Sequence, residues 1–168
     1  MDKVYYSVFD SSLGLFRIAS TEKGACKIAL PGESEEDFFG WLRARFGPQN
    51  IIEDRSRNEG VLAELESYLA GELQEFESTL DLRGTEFQMK VWREVSTIPY
   101  GIICSYREIA ERIGHPRAYR AVGAANGANP IPIIVPCHRV IGRDGSLRGY
   151  GGGLAMKERL LCLEGAIG

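Results

Sequence analysis

Residues 129–140 constrain the fold more than any other part of the chain. Three prolines fall within seven residues of this apolar run, which ends in Cys137 and His138. Each proline fixes φ and removes a backbone donor, so the run can be neither a helix interior nor a fully paired central strand. The pattern predicts a stiff extended segment, pressed into a core, that delivers a cysteine and a histidine to its end.

Cys137 is the candidate nucleophile of this segment. A thiol at the end of a rigid, proline-bounded segment is held in one place, as nucleophilic chemistry requires. An isolated buried cysteine is more often structural. Here the polar pair His138 and Arg139 follows directly and needs partners or water, which favours an active site.

The cysteine and histidine content argues against a metal site. The 168 residues contain four widely spaced cysteines, no CxxC pair and two histidines. This usage fits neither a disulfide framework nor a zinc cluster, and we expect no metal and no cofactor. We also expect a soluble intracellular protein, cytoplasmic or associated with the nucleoid, because no apolar run is long enough to span a membrane and no signal peptide is seen.

Charge divides the chain into two halves. Residues 1–82 hold 8 Lys+Arg against 16 Asp+Glu, a net charge of −8, whereas residues 83–168 hold 12 against 7, a net charge of +5. The asymmetry indicates an acidic domain over 1–82 and a basic domain over 83–168 that contacts an anionic partner.

The first half reads as a small α/β domain. Alternating β-formers predict three antiparallel strands near residues 4–9, 15–20 and 25–30. Helices are predicted from Ser34 to Phe46 and from Asn58 to Gly71. The aromatic residues of this half are expected to form its core, and they are Tyr5, Tyr6, Phe9, Phe16 and Trp41.

The second half is predicted to be mostly helical. Capping boxes at 85–88 and 105–108 begin two helices, the first of which should bury Phe87. A turn at 114–116 joins the second to a helix over 117–127, which gives the outline of a helix-turn-helix. Arg117 and Arg120 stand there among alanines and glycines. Small side chains suit close approach either to a DNA groove or to another helix, and spacing alone leaves both open.

A glycine-rich loop over 142–153 follows the candidate nucleophile. It is interrupted by Arg143, Arg148 and Tyr150 and contains no phosphate-binding GK[ST] motif. We expect it to close over a ligand beside Cys137. A last helix is predicted over 154–164, and the cysteines at 26, 104 and 162, which lie in apolar patterns, are expected to be inert.

The second half resembles the O6-alkylguanine-DNA alkyltransferases, also called methylated-DNA–protein-cysteine methyltransferases. The resemblance covers nearly all of residues 85–168. It is carried by Pro136-Cys137-His138-Arg139-Val140, Asn129-Pro130, Arg120-Ala121-Val122-Gly123, Phe87-Gln88, Trp92, Ile98-Pro99-Tyr100-Gly101, Ser105-Tyr106, Gly152-Gly153-Leu154 and Glu164-Gly165. The first half resembles the family's N-terminal domain only in element order.

The resemblance implies an α+β fold: a small ribonuclease H-like α/β domain with an antiparallel sheet, then a mostly helical, winged-helix-like domain with a helix-turn-helix. It implies irreversible transfer of the alkyl group of O6-alkylguanine, and of O4-alkylthymine, from duplex DNA to Cys137 with the nucleotide flipped out. The protein would act as a monomer without a cofactor, and cooperative binding along DNA is left open.

The resemblance also assigns roles. His138 would act on Cys137 through a bound water, oriented by Glu164, because adjacent side chains of an extended segment point to opposite sides. Further catalytic roles fall to Tyr106, as proton donor to the base, and to Asn129, which holds the turn. DNA contacts fall to Arg120, which fills the space of the flipped nucleotide, and to Arg117, Ala118, Tyr119, Ala121, Gly123 and Asn126. The substrate pocket would comprise Pro132, Val140, Tyr150, Gly151 and Gly152, with the backbone carbonyls of Cys137 and Val140 accepting from the exocyclic amine of guanine.

Two residues depart from the family pattern and three alternative functions remain. Gly151 stands where some members have serine, and Tyr119 is bulky at a position that is often small. The alternatives are a lesion-binding relative that does not repair, a thiol hydrolase, and a helix-turn-helix regulator. The presence of Cys137 disfavours the first, its adjacency to His138 the second, and the lack of a dimerisation element the third.

Overall fold

The computed structural model describes residues 2–147 and 149–168. Its backbone contacts divide the chain into two compact units, Met1–Leu82 and Arg83–Gly168. Arg148, one of the basic residues of the glycine-rich loop, lies outside the described residues. No helix in the described part of the chain is long and apolar enough to cross a bilayer.

The first unit is built on a four-stranded sheet. Its strands are β1 (Val4–Ser11), β2 (Gly14–Thr21), β3 (Gly24–Ala29) and β4 (Ile51–Glu53), in the spatial order β3-β2-β1-β4. The first three strands form an antiparallel meander, and β4 pairs in parallel with β1. Sequence patterns predicted the meander but not β4, because a three-residue strand carries no periodic signal.

Two helices accompany this sheet. They are α1 (Glu35–Phe46), capped by the Ser34 hydroxyl, and α2 (Glu59–Leu69). Phe38, Leu42 and Phe46 of α1 pack with Val4 and other sheet residues into one buried cluster. Burying these side chains stabilises the unit by roughly 2 kcal/mol for each large residue. The predicted core aromatics are buried except for Tyr6 and Trp41, which lie partly exposed against the same cluster.

The second unit is mostly helical. Its helices are α3 (Glu86–Val95), α4 (Tyr106–Arg112), α5 (Tyr119–Gly127) and α6 (Leu154–Leu163), and a parallel pair of short strands joins β5 (Cys104–Ser105) to β6 (Val140–Ile141). Both predicted capping boxes are present, at the starts of α3 and α4. The predicted α+β fold class is therefore confirmed.

Two local expectations were wrong. Helix α5 begins at Tyr119 and not at Arg117, because the turn after His115 continues to Ala118, whose amide bonds the His115 carbonyl. Phe87 is only partly buried, with its ring against His115. Cys162 is exposed, because it falls on the outer side of α6 between the inward-facing Leu161 and Glu164, and its expected inertness stays a prediction.

Candidate active site

The proline-rich segment makes a tight turn and is not extended as its sequence suggested. The side-chain amide of Asn129 stabilises the turn with two hydrogen bonds. Its Nδ2 donates to the Val135 carbonyl at 2.8 Å, and its Oδ1 accepts from the Ile131 backbone amide at 3.0 Å. Ile133, at φ 76°, is the only described non-glycine residue with positive φ. Prolines disfavour a strand here, and the side chain of Asn129 supplies the bonds that a sheet would otherwise provide.

Cys137 begins a single 3₁₀ turn, Cys137–Arg139, directly after this segment. The Cys137 amide donates to Val135 at 2.7 Å, and the side chain is only 4% exposed. The expectation that Cys137 and His138 point to opposite sides of an extended chain was wrong, since successive residues of a 3₁₀ turn differ by about 120°.

His138 is held by a buried carboxylate. Its Nε2 lies 2.7 Å from Oε2 of Glu164, and the two residues are 0% and 7% exposed. Glu164 is the C-cap of α6, so tertiary packing brings it to the 3₁₀ turn from 26 residues away. Because Nε2 faces the carboxylate, Nδ1 is the ring nitrogen through which His138 can exchange a proton with another group.

Arg139 completes the ionic cluster, a part that the sequence analysis had not assigned. Its Nε and Nη2 bind the two oxygens of Glu164 at 2.8 and 2.9 Å, and its Nη1 donates to the Ile98 carbonyl at 2.7 Å. The amide of Gly101 also donates to Glu164. With a neutral imidazole, the buried Arg–Glu pair has no net charge, which burial favours.

The surroundings keep His138 neutral. Burial lowers the pKa of His138 below its ordinary value of 6.5; the hydrogen bond and charge of Glu164 oppose this shift, and the charges of Arg139 and Lys157 reinforce it. A neutral imidazole can accept a proton, which is what a general base has to do.

Lys157 is a second residue that the sequence analysis missed. This α6 lysine is fully buried, and its Nζ donates to the Val140 carbonyl at 2.7 Å and lies 5.9 Å from the ring centre of Tyr106. Burial lowers the pKa of Lys157 to about 8, and negative charge on Cys137 acts in the opposite direction. Its spacing from Leu160, Leu161 and Glu164, the inward face of α6, was the available signal.

A cavity of about 800 Å³ lies where the helix-turn-helix meets the glycine-rich loop. The described residues that line it are Tyr106, Arg107, Tyr119, Arg120, Gly123, Gly127, Gly142, Arg143, Asp144 and Gly149. Tyr106 begins α4, beside the β5–β6 strand pair that ties this helix to the Cys137 segment. Three arginines against one aspartate give the lining a positive balance that suits an anionic ligand.

The predicted DNA-facing residues divide into two groups. Arg117, Arg120 and Ala121 are exposed, and Ala118, Tyr119 and Gly123 are partly exposed. Asn126 does not belong with them, because it is 3% exposed and its Nδ2 donates to the Cys137 carbonyl at 3.2 Å. On α5 it falls on the inward side with Val122 and Ala125, so helical position overrides its polar character.

The predicted substrate-pocket residues are also spread out. Pro132 and Val140 are buried, Tyr150 and Gly152 are partly exposed, and Gly151 is exposed. The loop lines the cavity through Gly142–Asp144 and Gly149. A closing role for residues 150–152 stays a prediction.

Family models match both units of the chain. Residues 4–82 match the ribonuclease-like domain of 6-O-methylguanine DNA methyltransferase, and residues 86–166 match the DNA-binding domain of the same family. The chain belongs to this family.

Individual members of the family are similar along their whole length. A methylated-DNA–protein-cysteine methyltransferase of Mycolicibacterium paratuberculosis is 48% identical over 162 residues, which cover 96% of this chain and 92% of the relative. An inducible one from Bacillus subtilis is 45% identical, with 96% and 90% covered. The crystal structure of the Mycobacterium tuberculosis OGT in complex with DNA superposes with a TM-score of 0.85 at 44% identity, covering 96% of this chain and 93% of that one.

Proposed function

We propose that this chain is a single-turnover DNA-repair enzyme that transfers the alkyl group of O6-alkylguanine in duplex DNA to Sγ of Cys137. O4-alkylthymine would be a second substrate. The observation that carries the proposal is the buried contact between Glu164 and His138, the residue directly after Cys137, in a chain that matches the alkyltransferase family over residues 4–82 and 86–166.

The first step is activation of the thiol. A free cysteine has a pKa near ~8.5, so only a few per cent is thiolate at neutral pH. His138 takes the proton at Nδ1 through a bound water, and Glu164 stabilises the imidazolium that forms. The ammonium of Lys157 donates to the Val140 carbonyl and interacts favourably with negative charge on Cys137, so it supports the thiolate.

The second step is displacement at the alkyl carbon. The S–C bond forms as the C–O6 bond breaks, and the electron pair of that bond stays on the guanine oxygen. Tyr106 donates its phenol proton towards the ring nitrogen on the minor-groove side, so guanine leaves neutral. The thioether product has no means of returning to a thiol, which makes each molecule act once.

The cavity and α5 supply the DNA-binding part. Arg120 is exposed at the start of α5 and lines the cavity, so it can fill the space left by a flipped nucleotide. Extrusion of a base requires on the order of a few kcal/mol, and less for a poorly paired lesion. The activity places the protein with the DNA of the cell, in the cytoplasm or nucleoid.

Arg120 can be tested separately from the chemistry. Arg120→Ala is expected to slow repair of duplex DNA by about tenfold or more while leaving transfer from the free O6-methylguanine base unchanged. Arg159→Ala removes one exposed charge of the same unit outside the cavity and is the matched control. Equal effects of the two substitutions on duplex repair would contradict the assignment.

A lesion-binding protein without repair activity is the alternative. The reactive cysteine favours repair, and a direct assay separates the two. Cys137→Ala is expected to abolish transfer and keep DNA affinity within about twofold in a binding titration. Methylation of this variant at any other residue would remove Cys137 from the mechanism.

A further inference from the structure

Asn126 occupies an unexpected place for a polar residue of the DNA-facing helix. It is buried on the inward side of α5, and its Nδ2 donates to the backbone carbonyl of Cys137 at 3.2 Å. The orientation of the amide is fixed by chemistry, because a carbonyl only accepts and so must face the nitrogen.

The backbone carbonyl oxygen of Cys137 already accepts two hydrogen bonds. Besides Asn126, it accepts the amide of Val140, which closes the 3₁₀ turn. A carbonyl oxygen has two lone pairs, so a third donor has to displace one of these two. The Val140 bond belongs to the turn that positions the nucleophile, which leaves the longer bond from Asn126 as the one that can be exchanged.

The neighbouring carbonyl is held in the same way. Val140 accepts from Nζ of Lys157 at 2.7 Å. These two carbonyls are the groups that, under the proposed function, face the exocyclic amine of guanine. Each is therefore held in place by a buried side chain from a different helix, Asn126 from α5 and Lys157 from α6.

The other atom of the Asn126 amide is a spare acceptor. Its Oδ1 is buried and has no hydrogen-bond partner in the described part of the chain. An acceptor of this kind is unfavourable unless a donor reaches it. An amine carries two N–H donors, so it can displace Nδ2 from the Cys137 carbonyl and bond the amide oxygen beside it.

We propose that Asn126 determines specificity for a base with an exocyclic amine, by holding the Cys137 carbonyl in place and offering Oδ1 as a second acceptor. The inference rests on the proposed function and adds a side chain to a recognition step otherwise made by backbone. A base with hydrogen in place of the amine leaves both acceptors without its donors.

The test compares two duplexes that differ by one amine, carrying O6-methylguanine or O6-methylhypoxanthine at the same position. Single-turnover methyl transfer to Cys137 is measured for the wild type, Asn126→Leu and the isosteric Asn126→Asp. Asn126→Leu loses both the donor and the acceptor, whereas Asn126→Asp loses the donor and keeps an acceptor. We expect Asn126→Leu to lower the guanine-to-hypoxanthine rate ratio by about threefold to tenfold, the value of one hydrogen bond, with little change for hypoxanthine, and Asn126→Asp to lower the ratio less.

Asn50→Leu is the matched control, because it removes a similar amide-to-carbonyl bond, from Asn50 to Phe46, in the first unit. It should leave the ratio unchanged. An unchanged ratio in the Asn126 variants, or an equal loss on both duplexes including complete inactivity, would overturn the inference and assign Asn126 a structural role. If the wild type transferred no methyl group from O6-methylguanine, the proposed function itself would fail.

Discussion

At the scale of single residues, the site depends on the balance of charge between buried Glu164 and Arg139. Glu164 accepts from His138, Arg139 and the amide of Gly101, so both its oxygens are saturated. A buried carboxylate beside a histidine alone would favour the imidazolium. Arg139 balances the charge of that carboxylate, so the imidazole of His138 can stay neutral.

Arg139 contributes to the pH at which His138 becomes protonated. Burial is the main cause that lowers the pKa of His138, and the charge of Arg139 adds to it. Arg139→Leu removes this positive charge and leaves the negative charge of Glu164 without its arginine partner. The pKa of His138 therefore rises, and the imidazole becomes protonated at a higher pH than in the wild type. The acid limb of the pH–rate profile for single-turnover transfer should move to higher pH.

Arg139→Lys is the control for this prediction, because lysine keeps the positive charge and loses the bidentate contact with Glu164. Its acid limb should stay near that of the wild type while the protein loses stability. If the limb moved equally in both variants, or in neither, the charge of Arg139 would have no part in setting the base.

At the scale of elements, the sequence predicted what local chemistry determines. The capping boxes at Thr85 and Ser105 were found because each box needs only two residues three apart. The turn of the proline-rich segment was not found, since it depends on Asn129 reaching the Val135 carbonyl and on Ile133 at positive φ. Neither feature has a periodic signature.

The turn of the proline-rich segment depends on both ends of the Asn129 amide. Asn129→Ala removes two buried hydrogen bonds and should lower the free energy of unfolding by about 2 kcal/mol. Asn129→Asp keeps the acceptor for the Ile131 amide and loses only the donor to Val135, so it should have the smaller effect. Urea denaturation measures both, and equal effects would show that the donor alone matters.

In the first unit, the start of β3 requires glycine. Gly24 has φ +148°, and an added Cβ would lie 2.4 Å from the Thr79 carbonyl oxygen. Gly24→Ala should lower the free energy of unfolding by about 2 kcal/mol or more. Gly60→Ala in α2, where the added carbon meets nothing within 4 Å, should instead raise it by up to about 1 kcal/mol. A tolerated alanine at 24 would contradict the close approach of residues 79–80 to β3.

At the scale of the whole molecule, the sequence predicted the site less completely than the fold. Cys137 and His138 were singled out from the proline-rich segment and Glu164 through the family resemblance, and the structure brings His138 and Glu164 into contact. Lys157 and Arg139 were not given roles, because burial of a charged residue becomes visible only when distant elements pack. Asn126 was misplaced for the same reason.

The charge asymmetry of the whole chain also makes a prediction. With a net −8 on residues 1–82 and +5 on 83–168, DNA binding should depend on phosphate contacts made by the second half. Affinity for duplex DNA should fall linearly on a log–log plot against salt concentration. A slope near zero would exclude phosphate contacts as the main source of affinity.

The choice of thiol is the most direct test of the central claim. Cys162 is exposed, whereas Cys137 is almost fully buried. A third cysteine, Cys104, is also buried, and burial raises the pKa of its thiol. After incubation with a duplex carrying one O6-methylguanine, peptide mass mapping should find one methyl group per molecule, on Cys137 alone. Methylation of Cys162, or no gain of mass while the lesion persists, would contradict the account.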